Sequence, residues 1–386
     1  MKGLTLTYSL SDQNFATTKS LGILNLSLNL IHHLSRHPAL HQATVLGNST
    51  LRDRLDLPPG VRFVNQDQAV RSRLGRVLWD QLGVYRAARA AGHQWLFLPK
   101  GFAPVIRRCP AKLATCVADG MQDFYRRNYP RAISRLERWY FLAGFAATVR
   151  RSTVIFTISD FTSTEVARLA KDLSSPTPRI VTIGIGFAKP TTAPGEKDDR
   201  ILVLASRWPH KRTDLALRYL ERWQATAGFS GEVVWVGALP AGLRLPALAN
   251  WRLADRLAEA EYRRLLERSR VLIYFSEYEG FGMPPVEAAL AGACPVYSDI
   301  PVTREVMRGT GCAFINDSFE SFAQSLGNAL KVPRGQLKAW ADRLHDRHNW
   351  DRVVGRVIFH LTELAGASAG RRPEGASAGL YLVGER

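Results

Sequence analysis

The chain is short of acidic residues, sulfur and long apolar runs, and each shortage excludes something. Its 386 residues hold 34 Asp and Glu against 52 Lys and Arg, a formal net charge of +18. That excess of cation favours polyanionic partners: nucleic acid, an anionic membrane or a phosphorylated substrate. Charge alone does not choose among them, and a solvated basic surface has the same composition. There are only four cysteines, Cys109, Cys116, Cys294 and Cys312. None forms Cys-x-x-Cys or has a histidine at zinc spacing, which excludes a zinc ribbon and points to a reducing compartment. Cys294 lies in an apolar run and reads as a small core residue. No stretch offers the roughly 18 uninterrupted apolar residues of a membrane span; the nearest, 139–149, is too short. The start of the chain enters a strand at once and has no signal-peptide core. The expected place is the cytoplasm, with any membrane association peripheral. No repeat with a period of about 20–50 residues is present, and no Asp-x-Asp pair occurs anywhere.

What is there is alternation. Short apolar runs at 4–8, 43–46, 96–98, 113–117, 154–158 and 180–185 read as strands, and 21–34 and 163–173 as helices. Ser159 or Asp160 is placed to cap the second of these helices. Residues 188–200, with Pro190, Pro194, Gly195 and clustered charges, have the composition of an interdomain linker. The alternation then restarts, with strands at 201–205, 232–236, 271–275 and 295–297. Helices fall at 213–227, 259–269, 284–291, 318–330, 337–348 and 350–364. This pattern predicts an α/β protein with two doubly wound parallel sheets. The tail 365–386 is rich in Gly, Ala and Ser and is expected to be disordered.

The most informative segment follows the 271–275 strand: Glu279-Gly-Phe-Gly-Met-Pro-Pro-Val-Glu287. Gly280 and Gly282 allow close backbone approach. Pro284 and Pro285 suit the first turn of a helix, whose N-terminus favours phosphate. The two carboxylates, eight residues apart, can each accept hydrogen bonds from sugar hydroxyls. Taken as residues alone, the segment is equally an ordinary glycine-bearing turn of an α/β protein.

The whole pattern resembles the E-x7-E motif of the retaining glycosyltransferases of the GT-B fold, the group 1 or family 4 type. Ala291-Gly-Ala-Cys-Pro-Val296 and Ser298-Asp-Ile-Pro301 fit the same pattern. The resemblance covers about residues 110–365 and is vague before that. It implies Glu287 on the ribose of a nucleotide sugar. Glu279 and the backbone of Gly280, Phe281, Gly282 and Met283 fall at the donor sugar. It also implies two Rossmann-like domains facing a cleft: an acceptor domain over 1–190 and a nucleotide-sugar domain over 198–349. The helix 350–364 is then expected to cross back onto the first domain.

Arg207 and Lys211 follow the first strand of the second domain, where open α/β sheets bind ligands. Read alone they are a basic loop before a helix. The resemblance implies that they clamp the donor diphosphate and act in catalysis with Glu279 and Asp119. They stand four apart where the family has five, so Arg212 is a candidate to share the role. The family's His-Asp pair is here Ala118-Asp119, and the histidine is missing. Asp119 reads equally as a turn or cap aspartate. The Thr157-Ile-Ser-Asp160 segment reads as structural. The family's Gly-Gly near the donor phosphate is reduced to Gly22, with Lys19 a possible compensating charge.

Arginines concentrate at 71–151, interleaved with Phe124, Tyr125, Tyr129, Trp139 and Tyr140. This suggests a surface for anionic lipid and a lipid-linked acceptor, against a plain solvated face. The absent Asp-x-Asp agrees with a metal-independent enzyme needing no cofactor beyond its nucleotide sugar. The expected function is transfer of a hexose or deoxyhexose to a glycan or lipid-linked acceptor in polysaccharide biosynthesis. The location is cytoplasmic, at the inner face of the plasma membrane. The alternatives are a nucleotide-sugar epimerase of the same fold, a catalytically dead sugar-binding relative, and a basic nucleic-acid-binding protein. No nucleic-acid-binding signature supports the last.

Overall fold

Apolar runs too short to be helices pair side by side into two sheets. A computed structural model describes residues 3–11, 13, 21–106, 108–173, 178–189, 196–255 and 257–366. The first sheet holds β1 (Leu4–Ser9), β2 (Leu40–Gly47), β3 (Val61–Asn65), β4 (Trp95–Leu98), β5 (Lys112–Val117), β6 (Val154–Thr157) and β7 (Arg179–Thr182). Its order is β3-β2-β1-β4-β5-β6-β7, with every pairing parallel. The second holds β8 (Asp198–Leu204), β9 (Glu232–Val236), β10 (Trp251–Ala254), β11 (Ser269–Tyr274), β12 (Cys294–Ser298) and β13 (Cys312–Phe314). Its order is β10-β9-β8-β11-β12-β13, again all parallel. Parallel pairing demands crossover helices on both faces, so the central strands are buried on both sides. Ile201, Leu202, Val233, Val234, Val271 and Leu272 accordingly have no exposed surface.

Each sheet has one place where the strand order reverses, between β1 and β4 and between β8 and β11. Loops leaving neighbouring strands diverge there and open a crevice. The E-x7-E segment leaves β11, and the Arg207–Lys211 segment leaves β8.

The sequence reading differs from the fold at its edges. The strands β3 and β10 escaped notice because they are half-exposed and interrupted by arginine, and β13 because it is only three residues long. The charges at the end of the expected linker belong to β8: Arg200 pairs with Asp198 and Glu232, and Arg268 with Asp198. Residues 190–195 of that linker lie outside the described residues. The last helix, Trp350–Gly366, does cross back. It packs on the Leu21–Leu34 helix, Leu24 and Ile31 sharing a core with Val354 and Val357. It continues two residues into the expected tail, of which 367–386 lie outside the described residues. The outgoing and returning chain crossings run side by side: Phe187 N donates to His348 O at 2.9 Å, and Phe187 bridges Asn349. All four cysteines are free thiols, and Cys294 is buried as expected.

Candidate active site

The β8–β11 crevice opens into a cavity of 2420 Å³ between the two sheets. That exceeds a usual single-ligand pocket of about 300–1,000 Å³, leaving room for two substrates. Gly22, Asp119, Lys211, Glu279, Gly280, Phe281, Gly282, Met283 and Glu287 all line it. Nine of the ten site residues expected from the sequence therefore converge. Lys19 lies outside the described residues.

Glu279 is the most constrained of them. Tyr274 Oη and Ser276 Oγ each donate to its Oε1 at 2.6 Å, and Lys211 Nζ forms an ion pair with the same oxygen. Lys211 also donates to Tyr274 Oη at 2.5 Å. Burial pushes the Glu279 carboxyl up, but Lys211 and the hydrogen bonds outweigh it and hold the group below the ordinary glutamate value. Among the described residues, every hydrogen bond to this carboxylate falls on Oε1.

Glu287, about one turn into the Met283–Leu290 helix, has the opposite environment. Burial pushes its carboxyl up to about 7, Glu259 adds to the rise, and Arg263 offsets part of it. Among the described residues its carboxylate has no hydrogen-bonding partner. Pro284 and Pro285 supply no N–H, so the start of this helix offers an anion chiefly the amides of Gly282 and Met283. Gly282 takes φ +85, a conformation that glycine adopts without steric cost. Phe281 is buried between Phe187 and His348, so only its backbone can serve a ligand. Gly22 faces Met283 across the cleft: a Cβ there would lie 4.0 Å from Met283 Sδ.

Arg207 is not brought to this point. It is exposed, lies over the Trp208 ring at 5.8 Å and is absent from the cavity wall. Arg212 is engaged elsewhere, with Glu277 at 2.5 Å. Lys211 is thus the cation beside Glu279. Asp119 sits on the first-domain side at the start of the Met121–Asn128 helix, where its Oδ1 accepts from Met121 N at 3.0 Å. Burial raises its carboxyl, Met121 N–H opposes this, and Glu279 adds to the rise while Lys211 lowers it. It is both the turn aspartate and a cleft residue, while Gly120 holds the helix N-cap position without a side-chain cap.

The domains touch directly beside the site. Gly280 O accepts from Ser159 Oγ at 2.6 Å and from Thr162 Oγ1 at 3.1 Å. Gly120 N donates to Tyr278 Oη at 2.9 Å. A Cβ on Gly280 would stand 2.0 Å from Ala118 O, so only glycine permits this approach. Ser159 caps the Asp160–Asp172 helix as expected, and it also ties the domains together. Beyond it, Asp160 N and Phe161 N donate to the Glu305 carboxylate at 2.7 and 2.8 Å.

An aromatic bridge completes the contact. Phe124 stacks on Tyr278 with ring centroids 4.6 Å apart, and Tyr125 Oη lies 2.7 Å from His210 Nδ1. His210 is buried, and burial together with Lys211 pushes it down to about 4, so it is neutral at pH 7. Tyr129 Oη donates to Glu277. This corrects the expected lipid-facing aromatic set: Phe124, Tyr125 and Tyr129 turn inward. Sequence reasoning also missed His210, Tyr274, Ser276 and Glu277. The available signal was position, since Ser276 and Glu277 flank the motif and His210 lies between Arg207 and Lys211.

Two facing parallel-sheet domains, a cleft at their switch points and a returning C-terminal helix define the class: this is a GT-B fold. The chain matches the glycosyl transferases group 1 family over residues 199–331. It is 26% identical over 146 residues to the O-antigen chain mannosyltransferase RfbU of Salmonella typhimurium, covering 36% of this chain and 40% of the relative. It is 30% identical over 135 residues to a GDP-mannose:cellobiosyl-diphosphopolyprenol alpha-mannosyltransferase of Xanthomonas oryzae, covering 31% and 34%. The chain thus matches less than half the length of these curated relatives. Among solved structures, sucrose-phosphate synthase of Thermosynechococcus elongatus superposes with TM-score 0.70 at 14% identity, covering 95% of this chain and 100% of that one. Anabaena HepE in complex with UDP and glucose gives 0.65 at 13%, covering 93% and 100%. At these identities the likeness concerns the fold.

Proposed function

We propose that the protein is a retaining, metal-independent glycosyltransferase. It moves a hexose or deoxyhexose from a nucleotide diphosphate sugar to a glycan or lipid-linked acceptor in polysaccharide biosynthesis. The observation that carries this reading is the Lys211–Glu279 pair in the β8–β11 crevice, with Glu287 on the adjoining helix. In the transfer, the bond from sugar to phosphate breaks and a bond from sugar to acceptor oxygen forms. Negative charge grows on the departing diphosphate. Lys211 and the Gly282 and Met283 amides stand where they can meet it, fixed in place before the reaction. Glu279, held ionised, accepts from sugar hydroxyls, and Glu287 from the ribose. Asp119, on the opposite wall, takes the acceptor's proton. No cofactor beyond the co-substrate is assigned. The protein works in the cytoplasm, with peripheral contact at the anionic inner face of the plasma membrane.

Both curated relatives are named as mannosyltransferases, so GDP-mannose is the first donor to test, beside UDP- and dTDP-sugars. A nucleotide sugar that binds only the folded chain raises its stability by about 3 kcal/mol at a hundredfold excess over Kd. A melting temperature indifferent to every nucleotide sugar would sink the reading. A shift with random DNA and none with nucleotide sugars would turn it toward nucleic-acid binding.

A further inference from the structure

Exposed apolar side chains are normally scattered singly over a soluble surface. Here they are gathered. Of the twelve large apolar side chains exposed among the described residues, eight fall between positions 74 and 142. They come from the Arg73–Leu78 helix, the loop at 105–106 and the first half of the Arg135–Arg151 helix. Leu74 is 70% exposed, Ile106 63%, Leu136 76% and Trp139 67%. Leu136 and Trp139, three apart, share one side of their helix. The later turns of that helix bury Ala147, Thr148 and Val149 instead.

These three segments are neighbours in space. Asp80, just after the first helix, pairs with Lys100 at 3.1 Å and accepts from Tyr140 Oη at 3.4 Å. Val105 N donates to Gln81 Oε1 at 2.7 Å. The same part of the chain is the most basic. Residues 71–151 hold sixteen Lys and Arg against four Asp and Glu, so +12 of the total +18 lies there. Arg71, Arg108, Arg131 and Arg135 are exposed and have no ion-pair partner among the described residues.

We propose that this face seats the protein on an anionic lipid bilayer, Leu136 and Trp139 entering the headgroup boundary and the arginines meeting lipid phosphates. The chemistry separates this occupant from its rivals. A nucleic acid would use the arginines and leave Leu74, Ile106 and Leu136 in water. A second copy would bring an equally basic face against this one. A bilayer satisfies both halves, since apolar burial and attraction to anionic headgroups add. The face also continues into the cleft: Leu142, 40% exposed on the same helix, lines the cavity together with Phe102, Ile133 and Phe141. Docking there presents the first-domain end of the cleft to the lipid surface. That last step rests on the proposed function, whereas docking itself does not.

The test is co-sedimentation of the full chain with phosphatidylcholine vesicles, with and without phosphatidylglycerol. Binding is expected only with the anionic lipid, weakening with salt. The double substitution Leu136→Ser and Trp139→Ser should lower partitioning at least roughly tenfold, from the apolar area no longer buried. Its melting temperature and its nucleotide-sugar shift should stay as in the parent. Equal partitioning of parent and variant would overturn the proposal, as would binding to duplex DNA but not to vesicles. Vesicle binding without any nucleotide-sugar response would leave this face standing and remove the proposed function; the reverse result would do the opposite.

Discussion

Glu279 and Glu287 stand at the two ends of one motif and are the same residue type, yet their environments drive them apart. Glu279 meets a lysine, a tyrosine and a serine, and its carboxyl is held below the ordinary value. Glu287 meets a second carboxylate, Glu259, and is raised to about 7. Burial acts on both in the same direction, so the neighbours decide the sign. The first is a fixed anion before any ligand arrives. The second takes its charge only near neutral pH. A motif specifies where carboxylates stand; the neighbouring side chains decide which of them is ionised.

The largest expected effect breaks the Glu279 side of the comparison. Lys211→Ala should lower kcat/KM about 10²–10³-fold, the usual loss for one preorganised charge-stabilising group. Steady-state transfer with a saturating acceptor checks it, and a loss below about threefold would remove Lys211 from the diphosphate. Glu279→Ala should cost a similar factor, and unchanged transfer would end its role at the sugar. Asp119→Asn should lower kcat about 10²-fold while leaving the nucleotide-sugar thermal shift in place, separating proton transfer from donor binding.

Glu287→Gln sharpens the other side. Donor KM should rise about tenfold, because a hydrogen bond to a charged acceptor weakens. Its stability effect has a definite sign. The folded carboxyl titrates near 7 against an ordinary 4.5, so the folded chain holds this proton more tightly. The associated stability is complete below about pH 4.5 and is lost as pH rises through 7. The glutamine variant should therefore melt higher than the parent at pH 8, by on the order of 1–2 kcal/mol, and equally at pH 4.5. A melting series across pH decides it. Arg207→Ala is the smallest change: less than about twofold in kcat/KM, because surface charges far from the chemistry contribute little. A loss as large as that of Lys211→Ala would mean that Arg207 swings into the cleft when donor binds.

That contrast between Lys211 and Arg207 also marks how far the sequence was legible. The buried strands β8, β9 and β11 could be read because parallel pairing demands continuous apolar runs. The E-x7-E loop could be read because its pattern of glycines and prolines between two glutamates resembles that of a known family. Side-chain direction could not: Arg207 and Lys211 have nearly the same chemistry, and only the turn at Pro209–Lys211 sends one outward and the other to Glu279. Nor could the partners of Phe124 and Tyr125, which face residues more than eighty positions away in the other domain. Composition made them resemble a lipid-facing set; packing made them a bridge. The exposed face that remains, around Leu136 and Trp139, was visible as sequence only in part, since exposure is a property of the assembled surface.

The paired crossings at Phe187 and Asn349 have a consequence for how the molecule moves. Because the outgoing and returning chains are bonded to each other, the two domains share one seam and cannot slide apart along two independent tethers. Any opening of the cleft has to break the Ser159–Gly280, Gly120–Tyr278, Tyr125–His210 and Glu305 contacts. At about 1 kcal/mol each, these contacts hold the two walls of the cleft together beside the site.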